Sequence, residues 1–273
     1  MFSMMDAVMQ PGMVYDYPLW VTALMLIGAA MVGAAVIELA VRRVVPAELR
    51  RRHNDAAAAI LSIIGITFAV LLAFVAMLAW EGFNRAKAAS SAEAAQIGDV
   101  YDVSLGFADP ERSRLRDGIT DYVRTVVNVE WPAQAAGHEL EAGGVPLARL
   151  NAIAVGLLPT TPAETNLHAH LLQSLAQLSA ARRERLLAAE TTVPTVVWIV
   201  TIAGGALTVA FVSFLGVANV WTHLAMSAVM AASGALVLVL IIALSTPFRG
   251  DFRVSAKVFD QMLARMVATD NPR

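Results

Sequence analysis

The chain has 273 residues, 58% of them hydrophobic and only 15% charged, and its mean hydropathy is +0.62. Those values lie outside the range of an ordinary soluble domain and place the chain in the membrane class before any motif is read. A formal net charge of −2 and the lack of cysteine exclude a globally basic nucleic-acid binder, disulfides, thiolate metal sites and cysteine nucleophiles.

Residues 1–17 carry Asp6 and Asp16 but no Lys or Arg, unlike the basic start of a secretory signal, and are expected to form a short uncleaved head. A first transmembrane helix is expected over residues 18–40, with Trp20 as its interfacial anchor and Gly28, Ala29, Gly33 and Ala34 as small contact residues. Near its end Glu38 stands one turn before Arg42, the spacing of an i,i+4 ion pair. Residues 41–55 then gather Arg42, Arg43, Arg50, Arg51 and Arg52 in one short loop. The positive-inside rule makes this loop cytoplasmic. Arg50, Arg51 and Arg52 are candidates for attracting anions or lipid head groups, and Asn54 or Asp55 is the expected N-cap of the next helix.

Residues 56–80 hold no charge at all and predict the second transmembrane helix. Ala58, Ser62, Gly65, Ala69, Ala73 and Ala76 recur there at spacings of three and four. They form one narrow stripe, where another helix is expected to approach closely. The other side carries Ile60, Ile63, Thr67, Phe74 and Met77. Ser62, Thr67 and Phe74 are the candidate pore-lining residues, for the case in which subunits assemble around a path. No breaker follows before Tyr101, so the helix is expected to run on beyond the span.

Most of the acidic residues fall in residues 81–192, beside ten basic ones, and the periodicity there predicts a soluble helical bundle. Asp109-Pro110 starts a helix with Leu115, Ile119, Tyr122, Val123 and Val126 on one face, expected to stop near Glu130, Trp131 and Pro132. A loop and a short helix over residues 146–158 follow. Thr161-Pro162-Ala163-Glu164 has the form of a capping box. Behind it Leu167, Leu171, Leu175 and Leu178 share one face of a helix that ends at Arg182, Arg183 and Arg185. The acidic residues are dispersed and mixed with arginine, the pattern expected of a solvated helix surface.

Third and fourth transmembrane helices are expected over residues 193–220 and 224–246, within a region 193–246, joined by a hairpin turn through Asn219, Trp221 and His223. Gly204-Gly205 falls at mid-depth of the third and permits a close crossing. The tail, residues 247–273, opens with Pro247-Phe248-Arg249-Gly250. Its amphipathic segment, with Val254, Val258, Met262 and Met266, suits either the bilayer surface or the bundle. Four spans put the bundle and both termini opposite the arginine loop, hence outside the cytoplasm. Arg249, Arg253 and Lys257 pull the other way but are fewer.

Catalytic signatures such as HExxH, GxSxG, a P-loop or a dinucleotide glycine loop do not occur. His168 and His170, two residues apart, face different sides of a helix and do not chelate. The sequence therefore predicts no enzyme, no metal and no cofactor. Apart from Glu38 no ionisable residue lies inside a predicted span, which argues against a proton-coupled carrier or pump. Two readings are left. The spans anchor a structural or sensory protein whose bundle binds a partner, or several copies assemble around a pore.

As a whole the pattern resembles the bestrophin-like membrane proteins of bacteria. The local signals are Arg42-Arg43 with Pro46, Phe74 to Trp80-Glu81, Glu93-Ala94, Glu130-Trp131, Arg182-Arg183 with Arg185-Leu186, Pro194 with Trp198, and Pro247-Phe248-x-Gly250. The resemblance covers nearly the whole chain. It implies an all-α integral membrane protein with four transmembrane helices and a helical-bundle domain inserted between helices 2 and 3. It further implies a homo-oligomer in the lipid bilayer of the bacterial inner membrane that conducts anions, with the pore lined by the second span and a hydrophobic neck. Two features differ from bestrophins. Those proteins hold their large domain in the cytoplasm, against the orientation of the arginine loop here, and the acidic calcium clasp of the animal bestrophins has no counterpart. The expectation is passive anion conduction, with no nucleic-acid partner and no calcium gating.

Overall fold

The computed structural model describes residues 17–138, 141–190 and 193–270, and among them the only regular structure is helical. In chain order the elements are α1 (Leu19–Val44), α2 (Ala47–Arg52), α3 (Asn54–Ser104), α4 (Glu111–Thr125), a π-helical turn (Val126–Glu130), α5 (Trp131–Ala135) and α6 (Gly144–Val155). They continue as α7 (Pro162–Glu190), α8 (Thr195–Val212), α9 (Val220–Ser245) and α10 (Lys257–Asp270). Of the predicted head, residues 1–16 lie outside the described residues. The chain divides into two compact units. The first takes the described residues up to Gly82, α8 and α9, and Gly250–Phe252; the second takes Phe83 through α7, Thr246–Arg249 and Arg253 onward.

In the first unit α1, α3, α8 and α9 are each long and apolar enough to cross a membrane. α1 begins directly after Pro18, whose extended backbone cannot continue a helix backwards, and the Leu19 N–H donates to Asp251 Oδ2 at 2.8 Å. It ends at Val44, two residues ahead of Pro46, which disfavours helix in the residue before it. α3 runs unbroken for 51 residues, about 77 Å of helix, and so is much longer than a span requires.

The way α3 packs corrects the sequence reading. Ser62, Ala69 and Ala73 of the small-residue stripe are exposed within the protomer, and a Cβ added to Gly65 would meet nothing within 4 Å. The face that packs carries Phe68 with buried Leu72, Val75 and Ala79. A Cβ on Gly204 would stand 3.0 Å from Phe68 Cδ2, and one on Gly205 3.2 Å from Phe68 Cζ. The small residues that admit close contact are thus supplied by α8, and α3 contributes the large ring that fills the space.

The turn between α8 and α9 is also displaced from expectation. α8 stops at Val212, and the Asn219 side chain accepts the N–H groups of Trp221 and Thr222 at 2.9 and 3.3 Å. That N-cap starts α9 at Val220, so Trp221 and His223 belong to its first turn. Asn54 Oδ1 accepts the Gly216 N–H at 2.9 Å, which ties the turn to the start of α3. Gly216 comes so close to the preceding segment that a Cβ there would stand 2.8 Å from Arg51 Cα.

In the second unit α4 begins at Glu111 with Pro110 as its N-cap, and Asp109 accepts from Arg112 and from Ser113 Oγ. The helix does not stop at Trp131-Pro132 as predicted. It passes through the π-helical turn into α5, where Pro132 occupies the first turn and its missing N–H is not required. The capping box forms as predicted: Glu164 N–H donates to Thr161 Oγ1 at 3.1 Å, and Glu164 Oε2 accepts Thr161 N–H at 3.3 Å. Ile97, Tyr101, Leu115, Ile119, Leu171 and Leu175 are among the fully buried side chains of this unit. α10 packs onto the same unit, so of the two settings open to the tail the structure has the bundle. Phe259 is fully buried 5.2 Å from the Trp131 ring, and Tyr101 OH donates to the Met266 carbonyl at 3.2 Å.

Candidate functional site

The three pore candidates all lie on α3 with exposed side chains. Ser62 Oγ and Thr67 Oγ1 each donate to the carbonyl four residues earlier, Ala58 and Ile63, at 2.9 Å, which places their hydroxyl hydrogens and leaves the oxygens as acceptors. Phe74 is 62% exposed. At roughly 100° per residue, Thr67 and Phe74 fall on one line with Ile63, Val70 and Met77, while Ser62 lies roughly 120–140° round the helix from both. Thr67 and Phe74 therefore share a face and Ser62 does not. The arginine candidates separate as well. Arg50 is buried, with Nη1 3.5 Å from the Ser213 carbonyl, whereas Arg51 and Arg52 are exposed.

At the same end of the spans the expected Glu38–Arg42 pair forms, with Arg42 Nε 2.5 Å from Glu38 Oε1. His223, which the sequence reading left in a turn, joins it with Nδ1 2.7 Å from Glu38 Oε1.

The second unit holds a larger cluster, which overturns the expectation of solvated charges. Glu93 of α3, Glu130 of the π-helical turn and Arg185 of α7 are wholly buried, and Arg182 is 4% exposed. Arg185 reaches three partners: Glu93 Oε2 from Nε at 2.5 Å, Glu130 Oε1 from Nη2 at 2.5 Å, and Gln134 Oε1 from Nη1 at 3.2 Å. Arg182 grips Glu130 with both terminal nitrogens, at 3.2 and 2.9 Å. Tyr122 OH donates to the remaining oxygen of Glu93 at 2.5 Å, and the Gly143 N–H donates to Glu130 Oε2 at 2.8 Å. Trp131 lies against the Arg185 guanidinium at 5.2 Å and turns its edge to Phe248.

The electrostatics of this cluster are those of a closed neutral set, two carboxylates against two guanidiniums. Burial works to raise the Glu130 carboxyl, but Arg185 and Arg182 outweigh it and hold the group below its ordinary value. Burial likewise opposes charge on Arg182 and Arg185, and their acidic partners raise both above the usual guanidinium value. Burial and the neighbouring Glu93 push the Tyr122 phenol up. Glu130, Arg182 and Arg185 therefore keep their charges and Tyr122 its proton at neutral pH. The arrangement cross-links four segments and offers no acid–base chemistry. Among the described residues no group of three His, Asp or Glu could hold a metal ion.

A signal for this cluster was present in the sequence. Arg182 and Arg185 continue the spacing of Leu171, Leu175 and Leu178 along the buried stripe of α7, and Glu93 stands in the buried stripe of Ala86, Ser90, Ile97 and Tyr101. Charged residues on an apolar stripe are buried charges awaiting partners. Glu93, Glu130-Trp131, Arg182, Arg185 and Phe248 are also residues through which the sequence resembles a known family.

The profile of the bestrophin-like domain matches residues 28–259. Among solved structures, the chain is similar to a bacterial bestrophin homologue from Klebsiella pneumoniae. The crystal structure of a leucine-to-threonine variant gives a TM-score of 0.59 at 13% identity, over 92% of this chain and 99% of that one. An isoleucine-to-threonine variant gives 0.66 at 11% identity, over 90% and 99%. No curated protein matches the chain. With the family profile running from within the first apolar helix past the fourth and taking in the buried charge cluster, the chain belongs to the bestrophin-like family.

Proposed function

We propose that the protein is a passive anion channel of the bacterial inner membrane, formed by several copies around a path lined by the first half of α3. One observation carries this reading. The α3 face with Ile63, Thr67, Val70, Phe74 and Met77 is exposed among the described residues of the protomer, while the far side of the helix seats Phe68 against Gly204 and Gly205. In this reading the exposed face turns towards other copies. A ring of such faces makes a narrow apolar neck that conducts when wetted and closes by dewetting. Exposed Arg51 and Arg52 raise the local anion concentration at the loop end, or hold lipid head groups there. Ser62, on its own line of the helix, borders the neighbouring copy.

In this reading the second unit is an extramembranous bundle between the second and third spans. The arginine loop is cytoplasmic by its charge, and the bundle stands on the other side. Purified protein in liposomes should carry a chloride-driven flux with an anion-selective reversal potential, and Phe74→Ala and Thr67→Ala should alter it. A second reading is supported by Val145, Val155 and Leu158 of the second unit, which are 67%, 68% and 89% exposed: a non-conducting structural or sensory protein whose bundle binds a partner. Flux no greater than that of empty liposomes, from protein verified as oligomeric, would decide for it.

A further inference from the structure

The junction of α1, α8 and α9 holds a buried histidine whose two neighbours make incompatible demands on one nitrogen. Glu38 and His223 are wholly buried, and Arg42 is 14% exposed. His223 Nε2 lies 3.0 Å from the Val212 carbonyl oxygen. A carbonyl only accepts, so Nε2 carries a hydrogen in every state. The other nitrogen, Nδ1, stands 2.7 Å from Glu38 Oε1 and 3.0 Å from Arg42 Nη2. The carboxylate requires Nδ1 to donate, the guanidinium requires it to accept, and one ring nitrogen cannot do both. Neutral His223 accepts from Arg42 and sets its lone pair against Glu38. Protonated His223 donates to Glu38 and turns its N–H against Arg42.

The surroundings add few other charges. α1 contributes Glu38 and Arg42. α2 contributes Arg50, which feels both of them. α8 offers the Val212 carbonyl alone, and His223 is the sole ionisable residue of α9. Arg43, Arg51, Arg52, His53 and Asp55 nearby in sequence are exposed. Among the described residues Glu38 Oε2 is a buried acceptor with no hydrogen-bond partner.

We propose that Glu38, Arg42 and His223 form a proton-operated clasp between α1 and α9, in which one proton taken from water onto His223 Nδ1 transfers the histidine from Arg42 to Glu38. No other bond is made or broken. The transfer releases Arg42 Nη2 at its partly exposed edge and adds one positive charge to the arginine-loop end of the spans. The clasp does not depend on whether the protein conducts.

The test is nitrogen-15 NMR of histidine-labelled protein in detergent, from about pH 5 to about pH 8, where histidine changes charge. The chain has five histidines, and the His223 signals are those lost in His223→Gln. If that variant does not fold, replacing His53, His138, His168 and His170 by Gln leaves His223 as the one signal. Nε2 should stay protonated throughout, and Nδ1 should pass from acceptor to N–H as the pH falls. Glu38→Gln should move that transition to lower pH and Arg42→Gln to higher pH. A His223 Nδ1 that keeps one state over the range, or a transition that neither substitution moves, would overturn the clasp.

Discussion

Arg185 shows why a buried charge survives in this fold. Its guanidinium uses three nitrogens on three partners in a fork that an ammonium cannot reproduce. Removing one member of such a set strands the rest in a dry interior, which costs about 3–5 kcal/mol. Arg185→Ala and Glu130→Gln should therefore each lower the unfolding midpoint strongly. Arg185→Lys should recover only part of the loss, because it restores the charge and not the geometry; equal stability for Lys and Arg would mean that charge alone matters. The pH dependence has a definite sign. The Glu130 carboxyl is held below its ordinary value of 4.5 in the folded protein, so the stabilisation is complete above that pH and is lost as the pH falls through the folded value. Thermal unfolding from neutral pH downward should show a fall below pH 4.5 that Glu130→Gln diminishes.

Among the elements, α3 and its contacts govern how the span unit packs. Phe68 fits because Gly204 and Gly205 present no side chain, so Gly204→Val should destabilise, and Phe68→Ala in the same chain should relieve part of the loss. A double-mutant cycle of melting temperatures measures the coupling, and additive effects would separate the two residues. Gly216 is stricter. A Cβ there would press on the Arg51 backbone, which cannot rotate away as a side chain would. Gly216→Ala should cost about 1–3 kcal/mol, the range for overpacking. In the second unit the π-helical turn lies between Tyr122 and Trp131. It lets α4 and α5 run as one helix while Glu130 faces Arg182 and Arg185.

For the whole molecule, the charge of the arginine loop sets the expected orientation in the membrane. The arginine loop predicts that a cysteine at Asn54 is shielded in intact cells and one at Ala136 is labelled by an impermeant reagent. Labelling at Asn54 alone would reverse the orientation, and with it the side from which a proton reaches His223. Because the chain has no native cysteine, each introduced thiol reports without background.

The sequence by itself determined the membrane class, the four apolar helices, the capping box at Thr161 and the unbroken course of α3. Each follows from hydropathy, local spacing or the lack of a breaker, which are properties of neighbouring residues. It also carried the family resemblance, and the match over residues 28–259 agrees with it. Only the tertiary structure decided which charges are buried together. Glu93 and Arg185 are 92 residues apart, and Glu38 and His223 lie on different spans. No local pattern encodes such pairings: an apolar stripe marks a charged residue as buried, but its spacing does not name the partner on another helix. The same reason explains the small stripe of α3. Its spacing announced a close approach, but whether a helix fills that space depends on what the facing helix brings, and here α8 brought glycines to Phe68, roughly 100° round the helix from the stripe.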